Sequence, residues 1–143
     1  MTILTLDIRT LIAAAPNGLR AECAGLTPAE FYDRYCEHTG PIRLSDWSLA
    51  GNGSSEYAAT LEFAGHVRTV GTTGSPVAAM TSALYDEGYT VEILRFHQRR
   101  TEDGTATFVQ CEVNGRRGWG AALAGDGAES TVRAMIAGVN RTL

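Results

Sequence analysis

Hydrophobic and polar positions along the chain follow two different periods, and the change falls near residue 41. Before that point apolar residues recur every three or four positions, as in helices, and after it alternation predicts strands. The predicted strands cover residues 44–49, 57–63, 66–70, 89–99, 105–113 and 116–123. Helical spacing returns after Pro76, up to a stop at Gly88, and again from Asp126 to the end of the chain.

The helical spacing at the start of the chain predicts two helices and a turn. Asp7 is placed to cap a first helix, and a strand over residues 2–8 is the open alternative. Residues 16–18 (PNG) predict a turn, and the stretch after them has no clear period. Residues 27–30 (TPAE) form a capping box with proline at the first helical position, and this helix is predicted to end at Gly40.

Glycine-containing turns separate the predicted strands, and their positions indicate a repeat. The tetrapeptides EFAG and EVNG, at residues 62–65 and 112–115, lie fifty residues apart, and the order strand–strand–strand–helix occurs twice around them. We therefore predict an α+β fold in which residues 42–143 form two tandem βββα units, preceded by a short helical segment over residues 1–41. One helix leaves a face of each three-stranded sheet poorly covered, so a homodimer is expected.

Two glycine-rich loops, residues 71–75 and 122–127, each lead from a predicted strand into a predicted helix. The first backbone N–H groups of a helix have no intrahelical acceptor, and the helix dipole adds positive potential there. A carboxylate at such a position gains roughly 0.3–1 kcal/mol when it is exposed. These two loops are therefore the best candidates for a ligand-binding site.

Charge and composition argue against several classes of protein. All 12 basic residues are arginines, they are scattered, and the net charge is −4, so no nucleic-acid-binding face is expected. The apolar fraction of 44% indicates a globular domain. The first residues do not resemble a signal peptide and no apolar run is long enough to span a membrane, so no membrane association is expected. The three cysteines form no CxxC pair, which predicts free thiols and a cytoplasmic protein.

Patterns typical of catalysis or metal binding are not found in the sequence. His38, His66 and His97 are far apart and never in an HxH or HxxxH spacing, so neither a metal nor another cofactor is predicted. There is no GxSxG nucleophile elbow, and Cys36 and His38 lie two apart on a predicted helix, where they do not share a face. We assign no catalytic residue, and an enzyme is not favoured.

Three motifs resemble a known family. They are GSPVAA at the first helix of the repeat, WGAAL before the last helix, and AGVNR at its end. Over residues 42–143 the chain resembles the C-terminal regulatory domain of 2-isopropylmalate synthase, the leucine-feedback domain that citramalate synthase shares. Residues 27–44 are similar to the helical linker that precedes that domain. The whole chain therefore resembles the back end of a longer enzyme, standing alone.

The resemblance implies a dimer that binds an end-product amino acid near its interface, held by loop backbone, helix N-termini and apolar side chains. Carried onto this sequence, the ligand-binding residues are Thr73, Gly74, Ser75, Pro76, Val77, Ala78, Ile93, Arg95, Phe96, Gly125 and Asp126. The family commonly has an acidic residue followed by tyrosine where this chain has Arg95 and Phe96, and the second loop here is more acidic. These departures leave the identity of the ligand open.

Three functions remain open from the sequence. The first is a non-catalytic regulatory module that binds a small branched-chain amino or keto acid between subunits and modulates a separate synthase. The second is a repurposed dimeric biosynthetic enzyme, in which Arg95, His97 and Asp126 act on a small acid near the inherited pocket. The third is a dimerisation scaffold with an empty pocket.

Overall fold

The computed structural model describes residues 2–36, 40–49, 56–73 and 75–143, and describes the side chains of all of these except residues 2–7, 72 and 73. The described helices are α1 (Thr2–Ala13), α2 (Asn17–Cys23), α3 (Pro28–Tyr35), α4 (Pro76–Asp86) and α5 (Gly127–Thr142). The described strands are β1 (Arg43–Leu49), β2 (Glu56–Phe63), β3 (His66–Thr73), β4 (Val91–Thr101), β5 (Gly104–Val113) and β6 (Arg116–Ala124). The α+β class is as predicted, and the order strand–strand–strand–helix occurs twice after α3.

The described strands form two three-stranded antiparallel sheets, in the orders β1-β2-β3 and β4-β5-β6. The predicted turns at residues 64–65 and 114–115 lie between consecutive strands. Gly65 and Gly115 have φ angles of 90° and 80°, a left-handed conformation that favours glycine and that explains the turn signals. The predicted turn at residues 51–54 lies outside the described residues.

A β-bulge interrupts the pairing of the first and second strands in both sheets. In the first sheet the register shifts between Leu44 and Asp46, and in the second it shifts between Ile93 and Arg95. A bulge adds one residue to one strand, so the side chains beyond it exchange faces relative to strict alternation. In β4 this exchange decides which side chains reach the candidate site.

The main hydrophobic core joins the inner faces of both sheets to α4 and α5. From the strands it includes Ala59, Leu61, Phe63, Val91, Val109, Cys111 and Val113, and from the helices Met80, Leu84, Val132, Met135, Ile136 and Val139. Helix α5 lies very close to β6, because a Cβ at Gly120 would fall 2.3 Å from the backbone nitrogen of Gly138. A larger residue at position 120 would push the helix away from the sheet.

A second core lies on the other face of the β4–β6 sheet, where the N-terminal helices pack. Phe31 and Tyr35 of α3 belong to the same buried cluster as Phe108 and Trp119 of the sheet. Strand β5 is therefore buried on both faces, which corrects the expectation that a partner chain is needed to cover this sheet. On the outer face of the β1–β3 sheet, Val67 is 63% exposed.

The first two helices differ from the prediction at their starts. Helix α1 already begins at residue 2, so the strand alternative over residues 2–8 is wrong and Asp7 lies inside the helix. Apolar residues at helical spacing extend back to Leu4, which explains the earlier start. The sequence predicts a turn at residues 16–18 followed by a stretch without a clear period. In the structure Pro16 is the N-cap of α2, and the residues that follow it are helical.

The predicted start of α3 is confirmed, and its predicted end is wrong. Thr27 Oγ1 accepts a hydrogen bond from the Glu30 N–H at 3.2 Å, and Glu30 Oε1 accepts one from the Thr27 N–H at 2.9 Å. This is the reciprocal arrangement of a capping box. The helix ends at Tyr35 and not at residue 40, because Cys36 has extended backbone and forms an isolated bridge to β6. Residues 37–39 lie outside the described residues.

Candidate functional site

The two predicted loops lead into two capped helix starts. Ser75 is the N-cap of α4; its Oγ accepts a hydrogen bond from the Ala78 N–H at 3.2 Å, and Pro76 follows at the first helical position. Asp126 is the N-cap of α5, and its Oδ1 accepts a hydrogen bond from the Glu129 N–H at 2.9 Å. Serine and aspartate are favoured here because their oxygens pair with backbone N–H groups that the helix itself leaves unpaired.

Both helix starts border a single cavity of about 500 Å³. The described residues that line it are Leu49, Ser75, Pro76, Val77, Phe96, Gln98, Asp126, Gly127, Ala128 and Thr131. The structure thus brings together five of the residues that the resemblance proposed for ligand binding, namely Ser75, Pro76, Val77, Phe96 and Asp126. The volume is within the usual range for small-molecule sites.

The helix geometry leaves three backbone amides without an intrahelical acceptor at this cavity. In α4 the first helical residue, Pro76, has no N–H, and the Ser75 side chain already accepts from the third residue, which leaves the amide of Val77. In α5 the amides of the first two residues, Gly127 and Ala128, likewise have no intrahelical acceptor. The cavity therefore offers hydrogen-bond donors from two helix starts.

The side chains around the cavity add one negative charge and an apolar wall. Among the described lining residues, Asp126 carries the only charged side chain. One of its oxygens caps α5, and a carboxylate has a second oxygen with acceptor capacity. Leu49 and Phe96 are each 45% exposed and present apolar surface to the cavity. Donors, one anion and apolar surface therefore occur together.

A hydrogen-bonded network at the cavity ties the start of α5 to the second sheet. Gln98 Nε2 lies 2.9 Å from Thr107 Oγ1, 3.1 Å from Thr131 Oγ1 and 3.1 Å from the Gly127 carbonyl oxygen. The hydroxyl oxygens of Thr107 and Ser130 are 2.5 Å apart, and both residues are fully buried. Because these buried hydroxyls already have partners, the network positions the helix start that borders the cavity.

Of the other residues proposed from the resemblance, Ala78, Ile93, Arg95 and Gly125 are not among the described residues that line the cavity. Ile93 packs against the main core, and Ala78 is exposed on α4. The carbonyl of Gly125 accepts a hydrogen bond at 3.2 Å from an arginine of β4. Thr73 pairs with β2 through its backbone, and Gly74 lies outside the described residues. Their assignment to a ligand site stays a prediction.

Arg95 points away from the cavity, which corrects its predicted placement. Beyond the bulge in β4, Phe96 faces α5, whereas Arg95 and His97 face the side of the N-terminal helices and border a separate cavity. Without the bulge, Ile93 and Arg95 would share a face of β4. Arg95 and His97 therefore border a different cavity from Asp126, so these three residues do not form the single site that the enzyme alternative needs.

Comparison with known proteins gives several related sequences. A 2-isopropylmalate synthase of Corynebacterium efficiens is 34% identical over 144 aligned residues, which cover 92% of this chain and 25% of that protein. The synthase of Corynebacterium glutamicum is 30% identical over 122 residues, covering 79% of this chain and 20% of that protein. The chain is homologous to a segment of 2-isopropylmalate synthase. No family model matches it.

The extent of the match confirms the resemblance to 2-isopropylmalate synthase. A third relative, the synthase of Mycobacterium leprae, is 28% identical over 131 residues, or 82% of this chain and 22% of that protein. The chain thus spans between 20% and 25% of the length of these synthases. A match of this extent is consistent with a homologue of the regulatory domain of 2-isopropylmalate synthase.

Sequence reasoning missed four residues that line the cavity of this synthase homologue. They are Leu49, Gln98, Ala128 and Thr131. Gln98 is two residues after Phe96 and therefore lies on the same face of β4. Strand alternation could have identified it once Phe96 was known to face the cavity. Thr131 is one turn along α5 from Gly127. Leu49 has no local signal, because only the tertiary fold brings the first sheet to the cavity.

The thiols of the synthase homologue are not placed to act as nucleophiles. Burial raises the pKa of Cys36 and of Cys111 to about 12, and it also raises the pKa of Cys23. All three thiols are free and are protonated at neutral pH. Within the described residues, no group of three His, Cys, Asp or Glu side chains is placed to hold a metal ion. No helix in the same part of the chain is long and apolar enough to cross a membrane.

Proposed function

We propose that this chain is a non-catalytic regulatory module that binds a branched-chain amino acid in the cavity between the starts of α4 and α5. One observation carries the proposal: Ser75 and Asp126, which cap helices from the two halves of the repeat, border the same cavity as Leu49 and Phe96. Homology to a segment of 2-isopropylmalate synthase supports a regulatory-domain-like role.

A zwitterion matches the charges around this cavity. The carboxylate of the ligand would accept a hydrogen bond from the Val77 N–H, at the positive end of the α4 dipole. Its ammonium would pair with the second oxygen of Asp126. A keto acid has no ammonium and would bring a second negative charge next to Asp126, so these charges favour an amino acid over a keto acid.

A branched aliphatic side chain matches the apolar part of the cavity. Leu49, Val77 and Phe96 offer apolar surface on one side of it. Full burial of a leucine or isoleucine side chain contributes about 1.5–3 kcal/mol. Glycine and alanine would make the same two charged contacts but would lack most of this contribution. Burial of the side chain would therefore separate branched-chain amino acids from them.

We also propose that two copies of the chain meet at this cavity. Leu49 and Phe96 are exposed at its edge, and large exposed apolar side chains that lie close together mark interaction surfaces. A twofold axis would bring the same surface of both copies together. A second copy would close the cavity, exclude water and strengthen the charged contacts to the ligand. Sedimentation velocity with and without leucine measures the predicted dimer.

A synthase is the proposed regulatory target. The relatives that this chain matches carry the name 2-isopropylmalate synthase, so we propose a separate synthase subunit as the partner. Amino-acid binding would then be the signal that the module passes on. If the chain, added in excess, makes a synthase respond to leucine more strongly than the synthase alone does, the regulatory part of the proposal is supported. An unchanged leucine response contradicts it.

Isothermal titration of the purified chain tests ligand binding directly. Leucine, isoleucine and valine are compared with 4-methyl-2-oxopentanoate, which has the carbon skeleton of leucine but lacks the ammonium. We expect saturable heat with at least one of the amino acids, and Asp126→Asn should reduce this heat but not any heat that the keto acid produces at another site. The proposal is wrong if none of the three amino acids produces a saturable signal.

A further inference from the structure

A second cavity, of about 360 Å³, lies on the opposite face of the β4–β6 sheet, beside the turn between α1 and α2. The sheet contributes Arg95, His97 and Trp119 to it, and the N-terminal segment contributes Pro16 and the first two residues of α2. It joins two regions of the sequence, the N-terminal helical segment and the second half of the repeat. Phe96 borders both cavities because β4 is the edge strand of its sheet.

The polar side chains of this cavity include one permanent cation, Arg95, together with the His97 ring and the Asn17 amide. It is lined by an arginine and a histidine, and the described lining residues include no carboxylate. Within the described part of the chain, neither the Arg95 guanidinium nor the ring nitrogens of His97 have a hydrogen-bond or ion-pair partner. Some of the other arginines are paired: Arg68 and Arg117 contact carboxylates at 2.9 and 3.2 Å. Arg95 is thus a cation with its donors unused on a concave surface.

Aromatic rings give the cavity a fixed apolar surface. Trp119 is only 4% exposed, so its position is set by packing, and a Cβ at Gly18 would lie 3.5 Å from its indole ring. The His97 ring is held by Phe108, with the ring centroids 6.0 Å apart and a tilt of 44°. The histidine nitrogens therefore have a restricted orientation beside the flexible Arg95 side chain. Such a combination of fixed apolar surface and a few polar groups is typical of small-molecule sites.

We propose that this cavity binds a small organic carboxylate that carries no ammonium group. The Arg95 guanidinium pairs with the carboxylate in bidentate geometry, and His97 donates a further hydrogen bond. The apolar part of the acid lies against Trp119. An amino acid is disfavoured here because no described lining residue offers a carboxylate to its ammonium. The two cavities thus have opposite preferences, and this proposal does not depend on the amino-acid site.

The indole N–H signal of Trp119 in ¹⁵N–¹H spectra of the full chain tests the proposal. The chain has two tryptophans, and Trp47→Phe identifies which signal belongs to Trp119. The probes are 4-methyl-2-oxopentanoate, leucine and inorganic phosphate. We expect the keto acid to move the Trp119 signal saturably, at a concentration about tenfold lower than leucine or phosphate requires, since one charge-assisted interaction accounts for about that factor.

Two variants make the outcome specific to this cavity. Arg95→Gln removes the guanidinium at an exposed position and should weaken keto-acid binding about tenfold or more. Arg99→Gln removes the same charge from an exposed residue outside this cavity and should leave binding unchanged. The proposal is overturned if the keto acid does not move the Trp119 signal, if leucine or phosphate moves it equally well, or if both variants weaken binding to the same extent.

Discussion

The side chain of Asn140 makes two hydrogen bonds to the backbone of Ile42, ninety-eight residues earlier in the chain. Asn140 Oδ1 accepts from the Ile42 N–H at 3.1 Å, and Asn140 Nδ2 donates to the Ile42 carbonyl at 2.8 Å. Ile42 is fully buried, so these backbone groups have no access to bulk water. Gly40 permits the approach, because a Cβ there would lie 2.4 Å from the Asn140 side chain and its φ is 141°. The last helix thus holds the start of the first sheet in place.

Asn140→Leu should destabilise the fold strongly. The substitution keeps the approximate size of the side chain and leaves a buried N–H and a buried C=O without partners, each of which costs about 1–3 kcal/mol. We expect the free energy of unfolding, measured with urea, to fall by about 2 kcal/mol or more. Asn140→Asp keeps the acceptor oxygen, so its free energy of unfolding should lie between those of the native sequence and Asn140→Leu. Arg141→Gln, an exposed neighbour, is the control, and equal stability of Asn140→Leu and this control would refute the role of Asn140.

Two buried tyrosines should respond in opposite directions when the hydroxyl is removed. The Tyr57 hydroxyl is buried and has no hydrogen-bond partner among the described residues, whereas the Tyr35 hydroxyl donates to Glu22 Oε2 at 2.8 Å. Tyr57→Phe should leave stability unchanged or raise it by up to about 1 kcal/mol, because an unpaired polar group is removed. Tyr35→Phe should lower stability by about 1 kcal/mol. Urea unfolding measures both, and a loss in Tyr57→Phe as large as in Tyr35→Phe would contradict the structure.

Stability should decrease at alkaline pH because of two buried thiols. Burial raises the pKa of Cys36 and Cys111 from 9.0 to about 12. Below pH 9 these thiols are protonated in the folded and in the unfolded chain. Between pH 9 and about 12 they ionise only in the unfolded chain, so the free energy of unfolding falls as the pH rises through this range. A Cys36→Ser/Cys111→Ala double variant should lose less stability between pH 8 and about pH 10.5 than the native sequence does. An identical pH dependence in the two proteins would contradict the burial of these thiols.

The negative charge of Asp126 should matter for amino-acid binding independently of its role as a helix cap. Asparagine is an equally good N-cap, so Asp126→Asn removes the charge while retaining the cap. We expect leucine affinity, measured by isothermal titration, to fall about tenfold or more with little change in stability. Glu102→Gln, an exposed residue that does not line the cavity, removes the same formal charge as a control. Unchanged affinity in Asp126→Asn would rule out the proposed ammonium contact.

Local signals in the sequence predicted most of the fold. The hairpin turns at residues 64–65 and 114–115, the cap at Thr27 and the helix start at Pro76 depend on nearby residues, and the structure has them where the sequence indicates. Helix α2 escaped prediction because a seven-residue helix contains too few turns to show a period. The covering of the second sheet by the N-terminal helices is a tertiary contact, and no local pattern shows it.

The candidate site was predictable where it depends on helix starts and not where it depends on strand phase. Ser75 and Asp126 could be selected because both lie in glycine-rich loops that lead from a predicted strand into a predicted helix. Arg95 was carried over from the resemblance; its position at the second cavity depends on the bulge after Ile93, and no residue at this point signals a bulge. The contribution of Leu49 depends on how the two sheets face each other.

The most direct measurement of the central proposal is a leucine titration followed in ¹⁵N–¹H spectra of the full chain. The amides of Val77, Gly127 and Ala128 lie at the cavity and have no intrahelical acceptor. If leucine binds between the two helix starts, these three signals should move saturably and by more than the signals of distant residues such as Val67. A spectrum that leucine leaves unchanged, or in which the largest shifts lie away from both helix starts, would contradict the proposed site.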